Sequence, residues 1–413
     1  MTAIDRGRSA TRIEQDIESL AGPEYTVSGE AIRRYAYTGA YRNTLDYFTN
    51  ALEELGFDVS TDPVGTLVAR NRPAGEPVFG IGSHCDSNRN GGKYDGTMGV
   101  VTALEVCRLN AELGLDLSLQ LISFLEEEGS GFGQMLLGSR IMLQRVTDED
   151  LREHFRALDD GRSFWEHAVE AGHAPERWRD STHVLDDLTG WIEMHIEQAR
   201  ALQDTGNRIG IVHAIAGYVH ADVIVHGRGD HAGATPMDFR LDPTLVLAET
   251  ALELERLAKE AGHGTVGTIG EIEVDPCLIN AIASAVHFSL DIRGPIDELY
   301  RGVADAIGAY AVAAAERRGM TAEVRPRQTL AVTPLDATLV AALEDAALGT
   351  GEPYMRMHSG AAHDTMCVAA RVPSAMVFVP CVDGISHHPD EDAEPADAAL
   401  AAEIILNGIQ ALQ

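Results

Sequence analysis

Between residues 82 and 99 the chain reads Gly82-Ser83-His84-Cys85-Asp86-Ser87-Asn88-Arg89-Asn90-Gly91-Gly92-Lys93-Tyr94-Asp95-Gly96-Thr97-Met98-Gly99. A short apolar run, 78–81, stands before it, and an apolar-periodic segment, 100–113, follows. The three pieces predict a buried strand, a glycine-rich loop and a helix. A histidine and two aspartates are thereby placed at the carboxyl end of a strand, where open α/β sheets build their sites. Asp86 lies close enough in sequence to His84 to orient its imidazole, as a metal-bound ring requires. Asp95 offers a carboxylate able to bridge two cations.

The same placement recurs along the chain. The apolar run 119–125 leads into Glu126-Glu127-Glu128, and a short strand at 190–194 leads into His195-Ile196-Glu197-Gln198. The strand 374–379 precedes Gly384-Ile385-Ser386-His387-His388. His84, Asp95, Glu128, His195 and His387 are therefore candidate metal ligands, because the ends of parallel strands converge in space. Two imidazoles, a bridging carboxylate and a further ligand on each side would hold two divalent cations about 3.5–4 Å apart, which activate water and stabilise an oxyanion. Nitrogen and oxygen ligands without thiolate suit zinc, manganese, cobalt or nickel. Three successive glutamates repel one another, so their retention points to a role. Glu128 as ligand and Glu127 as general base divide the work naturally, with Glu126 read as part of a solvated acidic turn. His388 competes with its neighbour His387.

At 413 residues the chain is long enough for two domains. The pattern changes after residue 211. A strand at 218–226, a helix at 242–263, strands at 267–274 and 285–293, a helix at 295–318 and a strand at 321–327 give the order βαββαβ of a ferredoxin-like sandwich. The expected fold is thus α/β, a mixed-sheet catalytic domain of residues 1–212 and 328–413 with an α+β domain, 213–327, inserted in it. Within the insert, residues 231–238 read as a polar turn after a strand. Asn280 and Arg293 flank its penultimate strand, and an Arg fork binds a carboxylate through two hydrogen bonds. Solvation alone also accounts for a lone surface Arg.

The net charge is −32, from 32 Lys+Arg against 64 Asp+Glu, and such a surface repels phosphate backbones, which argues against nucleic acid. The five cysteines are dispersed without a CxxC pair, which predicts reduced thiols and a cytoplasmic address. The polar first residues, Met1-Thr2-Ala3-Ile4-Asp5-Arg6, do not read as a signal-like apolar core, and no stretch approaches membrane-spanning length, so neither a signal peptide nor a membrane span is expected. HExxH, GxSxG, P-loop and dinucleotide fingerprints are missing.

Together these motifs, with Leu137-Gly138-Ser139-Arg140, His231-Ala232-Gly233, Thr235-Pro236-Met237, Asp291-Ile292-Arg293 and Ser359-Gly360-Ala361-x-His363-Asp364, resemble the N-carbamoyl-L-amino acid hydrolases. Their relatives are allantoate amidohydrolase and bacterial β-ureidopropionase, in the aminoacylase/carboxypeptidase clan of dinuclear metallohydrolases. The resemblance covers nearly the whole chain. It implies two divalent metal ions per subunit, zinc or manganese foremost, held by His84, Asp95, Glu128, His195 and His387, with Asp95 bridging. It implies Glu127 as base and Asp86 as the partner of His84. It implies an inserted lid domain through which two subunits dimerise, so that the lid histidine, His231, completes the other subunit's site and polarises the substrate carbonyl. Gln198, Asn280 and Arg293 correspond to substrate contacts, the last two to a carboxylate clamp. Clan relatives also carry a cis peptide where Asp95–Gly96 stands, a costly bond outside proline.

The sequence departs from the family at Cys85, usually Leu or Phe, and at Ala199, usually Gly. It departs also in the segment around Asn280, including Ala283, and at Ala362, usually a Gly, where backbone approaches substrate. These changes cluster near the expected substrate pocket and away from the metals. The resulting expectation is a homodimeric amidohydrolase acting on a carboxylate-bearing N-carbamoyl or related linear amide. The alternatives are an N-acyl amidase, a dipeptidase or aminopeptidase on the same metal domain, or a non-catalytic binding protein. A peptidase would need an acidic anchor for a free amine, and the insert offers no convincing one.

Overall fold

The computed structural model describes residues 4–27 and 31–413. The chain divides into two compact units, one comprising the residues up to His213 with Leu335–Met357 and His363–Gln413, the other Ala214–Pro334 with His358–Ala362.

In the first unit the strands Val78–His84, Leu119–Phe124, Leu188–Ile196 and Ser374–Val379 are largely apolar and buried along their length, as strands covered on both faces must be. They pair in parallel in the order Leu119–Phe124, Val78–His84, Leu188–Ile196, Ser374–Val379. Antiparallel strands extend both sides: Leu67–Arg70 and Asp58–Thr61 beyond Leu119–Phe124, and Ile209–Ile215 beyond Ser374–Val379. The sheet is therefore mixed, as expected. All four parallel strands run the same way, so their carboxyl ends share one edge. The helix Thr97–Leu113 packs on Val78–His84 and Leu188–Ile196. It lies close because Gly99 has no side chain: a Cβ there would meet the Met194 carbonyl oxygen at 2.2 Å. Phe124, Leu188, Trp191 and Val368 belong to one buried cluster of this unit.

The second unit is an antiparallel sheet in the order Ile272–Asp275, Ala285–Gly294, Gly217–His226, Thr321–Leu330. The helices Thr244–Ala261 and Asp297–Arg317 pack on it, with Val246, Leu254, Tyr300 and Ile307 against Val223, Phe288 and Ile292. Ala285–Gly294 alternates half-buried and buried residues throughout, the period-two signature of a sheet covered on one face. Two expected elements need correction. The strand expected at 267–274 is split into Val266–Thr268 and Ile272–Asp275, whose registers against Ala285–Gly294 differ by one residue; at the break the Glu271 N–H donates to the Ser289 hydroxyl while the Glu271 carbonyl accepts the Ser289 N–H. The strand expected to end at residue 327 continues to Leu330, since a register shift between Pro326 and Gln328 lets the chain pass a proline that cannot donate. Among the described residues no helix is long and apolar enough to cross a membrane.

Candidate functional site

His84 ends one central strand and His195 lies near the end of its parallel neighbour. Their rings stack with centroids 5.6 Å apart, and their Nε2 atoms are separated by 3.4 Å. The helix-leading loop brings Asp95 to both: Oδ1 is 3.5 Å from His84 Nε2 and 3.3 Å from His195 Nε2. The other carboxylate oxygen of Asp95 faces His387 Nε2 at 3.6 Å and accepts from Gln198 Nε2 at 2.7 Å and Ser386 Oγ at 2.9 Å. Glu128 Oε1 stands 3.4 Å from His387 Nε2. Two groups of ligand-bearing side chains result, His84–Asp95–His195 and Asp95–Glu128–His387, each with its ligand atoms within 4.8 Å of one another. Asp95 belongs to both. His388 turns away and caps the Asp390 N–H instead.

Asp86 was expected to orient the His84 imidazole through its carboxylate. Its Oδ1 is 3.5 Å from His84 Nδ1, but the nearer acceptor for that nitrogen is the Asp86 carbonyl at 3.1 Å. The carboxylate chiefly accepts the N–H groups of Glu127 and Glu128, at 3.1 and 3.0 Å. This turns the two successive glutamates inward, helped by a left-handed Glu126 at φ +54°. Glu127 Oε2 then lies 3.7 Å from His84 Nε2.

Glu126 is not the solvated turn residue expected. It is 0% exposed and accepts the Gly131 and Phe132 N–H groups at 2.6 and 2.7 Å. Burial and the neighbouring Asp86 push its carboxyl up to about 8. The expected cis bond at Asp95–Gly96 is likewise corrected: that peptide is trans, and the cis bond among the described residues is Asp275–Pro276. Asp95 is aimed by other means. Glu391 Oε1 accepts the Tyr94 and Asp95 N–H groups at 2.9 and 2.8 Å, and Gly96 turns the chain at φ +60° where a Cβ would strike the His84 ring.

The charges are crowded and dry. Burial pulls the His84 imidazole down, yet Glu127, Asp86 and Asp95 overcome this and hold it well above its usual range. Burial pushes Glu127 up, and Glu128 and Asp364 add to the push against the pull of His84. Asp95 is held well below the carboxylate range by His195 and His84, against its burial. Glu128 Oε1 accepts no hydrogen bond, which leaves a buried oxygen lone pair aimed beside His387. Oxygen and imidazole donors, an orphaned carboxylate oxygen and a surplus of buried anions fit divalent cations well. Gln198 and His387 hold left-handed backbones, φ +59° and +56°, and strain of this kind collects at functional sites.

Sequence reasoning missed Glu391, Ser386, Asn88 and Glu193. Asn88 Nδ2 is 3.4 Å from His387 Nδ1. Glu193, fully buried, accepts from Ser83 Oγ at 2.9 Å and from the Thr365 hydroxyl at 2.6 Å, fixing strand to strand behind the histidines. An acid inside the apolar strand, two residues before His195, was the available signal. Cys85 is buried, with its thiol pushed up to about 11 by burial.

Four expected residues lie in the second unit. His231 and Asn280 share a short antiparallel ribbon, with His231 opposite Ala281 and the Ala232 N–H donating to the Asn280 carbonyl at 3.0 Å. His231 Nδ1 accepts the Gly233 and Ala234 N–H groups, both at 3.1 Å. In the neutral ring this puts the proton on Nε2. Arg293 is held by Asp291 and reaches the Gly360 carbonyl at 3.4 Å, in the short segment that also carries Ala362.

Residues 81–411 match Peptidase family M20/M25/M40, and the chain belongs to that family. It is similar to the N-carbamoyl-L-amino-acid amidohydrolase of Paenarthrobacter aurescens, 34% identical over 98% of both chains. It is also similar to the ureidoglycolate hydrolase of Oryza sativa subsp. japonica, 33% identical over 91% of this chain and 79% of that one. Among solved structures, a hydantoinase/carbamoylase family amidase from Burkholderia ambifaria superposes with a TM-score of 0.86 at 31% identity, covering 97% of each chain. The chain is an amidohydrolase, an enzyme that cleaves carbon–nitrogen bonds.

Proposed function

We propose that this enzyme hydrolyses the carbon–nitrogen bond of an N-carbamoyl amino acid or a closely related ureido acid, releasing the amino acid and carbamate. The observation that carries the reading is the pair of ligand groups meeting at Asp95 with Glu127 beside them. One divalent cation would be held by His84, Asp95 and His195, the other by Asp95, Glu128 and His387. Such cations, when bound, lower the pKa of water and polarise a carbonyl; zinc and manganese lead, with cobalt and nickel as alternatives.

Glu127 takes the proton of the attacking water and returns it to the leaving nitrogen. A buried carboxylate with a raised pKa is suited to both halves of that transfer. Asp86 holds the Glu127 and Glu128 backbone and thereby keeps the base in place. His231, with Nε2–H outward, donates to the carbonyl oxygen as charge develops there. Arg293 and Asn280 take the substrate carboxylate, and Gln198 and the backbone at Ala362 are the further substrate contacts of this reading. The names of the two relatives share a carbamoyl or ureido group on a small acid, which supports this substrate class over a peptide. In the same reading the chain pairs as a homodimer through residues 213–327, and His231 of each subunit serves the other's site. The exposed position of His231 and the fully exposed Ile279 beside Asn280 support it.

The test is a matched panel on metal-reconstituted enzyme: N-carbamoyl, N-formyl and N-acetyl amino acids, allantoate and dipeptides, in both enantiomers. Ammonia release from ureido substrates alone is expected. Cleavage of acyl or peptide substrates without ureido cleavage would refute the assignment.

A further inference from the structure

Arg293 does not stand alone. Gly217–His226 and Ala285–Gly294 pair with Arg293 opposite Tyr218 and Asp291 opposite His220. Residues two apart on a strand share a face, so these four side chains form a square on the side of the sheet away from the helix-packed core residues Ala221, Leu290 and Ile292. Asp291 grips the guanidinium from its side. Arg293 Nε donates to Oδ1 and Oδ2 at 2.9 and 3.1 Å, and Nη2 donates to Oδ2 at 2.8 Å. His220 Nε2 lies 3.3 Å from Asp291 Oδ1, and its ring stacks on Tyr218 with centroids 4.4 Å apart. The guanidinium carbon sits 5.7 Å from the Tyr218 ring centre.

Of the five N–H donors of an arginine, Asp291 uses those on the Nε side. Nη1 donates one proton to the Gly360 carbonyl at 3.4 Å, which leaves its second proton and the second Nη2 proton. We infer that Asp291 is a positioning residue, buttressed by His220, which fixes Arg293 so that its Nη1–Nη2 end, and not its Nε side, receives the substrate carboxylate. The inference rests on the reading of Arg293 as the carboxylate's partner. Two effects of Asp291 oppose each other: it neutralises part of the charge that attracts an anion, and it holds a flexible fork in one orientation. A bidentate grip backed by a cross-strand pair makes orientation the larger effect.

Steady-state kinetics of the metal-loaded full-length enzyme separate the possibilities, using an N-carbamoyl amino acid and its carboxamide. Asp291→Asn is expected to raise KM for the carboxylate about tenfold, the rise falling on KM rather than kcat, and to lower the preference for carboxylate over carboxamide by about the same factor. Added to Arg293→Ala, it is expected to cost nothing further, since residues acting through one group are not additive. Asp291→Glu keeps the charge but lengthens the arm by one methylene; the same KM rise is expected, and it serves if the Asn variant fails to fold. A preference left intact by Arg293→Ala would remove the clamp reading itself. A preference lost in Arg293→Ala but kept in both Asp291 variants, a lower KM in Asp291→Asn, or full additivity in the double variant would leave the clamp standing and overturn the positioning role.

Discussion

Glu127 and Asp86 act on the same few ångströms in different ways, and substitution separates them. Glu127→Gln keeps the shape and removes the proton acceptor, so kcat is expected to fall about 10³-fold or more, with the metal content of the purified protein, measured by elemental analysis, unchanged. Retained turnover with metals bound would end its assignment as base. Asp86→Ala removes the acceptor of two backbone N–H groups and loosens the turn that presents Glu128. Metal affinity is expected to drop about 10- to 100-fold in a chelator competition; an unaltered affinity would mean that the turn holds without it. At this scale the candidates stand out in the sequence, because His84 ends an apolar run and Asp95, Glu127 and Glu128 sit on loops that follow such runs. Glu391 does not. It aims Asp95 from 296 residues further along the chain, and nothing local marks an acid that acts only by folding back. Glu126 was misread for a different reason: three adjacent acids look alike until the turn at φ +54° buries one.

The elements that carry the site depend on close approach and on cross-strand pairing. Gly99 lets the helix Thr97–Leu113 lie on the central strands. A Cβ there would sit 2.2 Å from the Met194 carbonyl oxygen and 2.6 Å from Ser83 Cβ, and backbone cannot move aside as a side-chain tip can. Gly99→Ala is expected to destabilise the protein by about 3 kcal/mol, read as a lower urea midpoint; a loss under about 1 kcal/mol would show that the helix can shift freely. In the second unit, burial pushes the Asp291 carboxyl up, while His220 and Arg293 more than offset this and hold it at about 2. A depressed folded pKa contributes stability above the usual aspartate range and loses it as pH falls through about 2. Asp291→Asn is therefore expected to cost about 1 kcal/mol at pH 7, after allowance for partial exposure, and the gap should close between about pH 4 and pH 2 in denaturant titrations. A gap constant with pH would exclude the ionic origin. The buried parallel strands were legible as continuous apolar runs. The edge strand Asp58–Thr61 was not, since an exposed strand carries no apolar pattern to read, and the short strand Tyr354–Ser359 mixes Arg, Met and His.

At the scale of the whole molecule, the change from long apolar runs to period-two alternation after residue 211 announced a second unit. The short segment His358–Ala362, which belongs to that unit, could not be foreseen, because it is reached only after the chain has re-entered the first. The two units divide the expected chemistry between them. His84, Asp86, Asp95, Glu127, Glu128, His195, Gln198 and His387 come from the first, and His231, Asn280, Arg293 and Ala362 from the second. If each active site takes its His231 from the other subunit of a dimer, two dead variants must repair one another. Glu127→Gln lacks the base but keeps His231, and His231→Ala lacks the donor but keeps the base. In a mixed dimer, the site on the His231→Ala subunit has its own Glu127 and receives an intact His231, while the other site stays dead. After dissociation and reassociation at equal amounts, half the dimers are mixed and each has one working site, so roughly a quarter of wild-type activity is expected. Light scattering on the mixture establishes whether dimers are present. Dimers that exchange subunits and remain inactive would mean that each chain completes its own site, with His231 acting within one subunit.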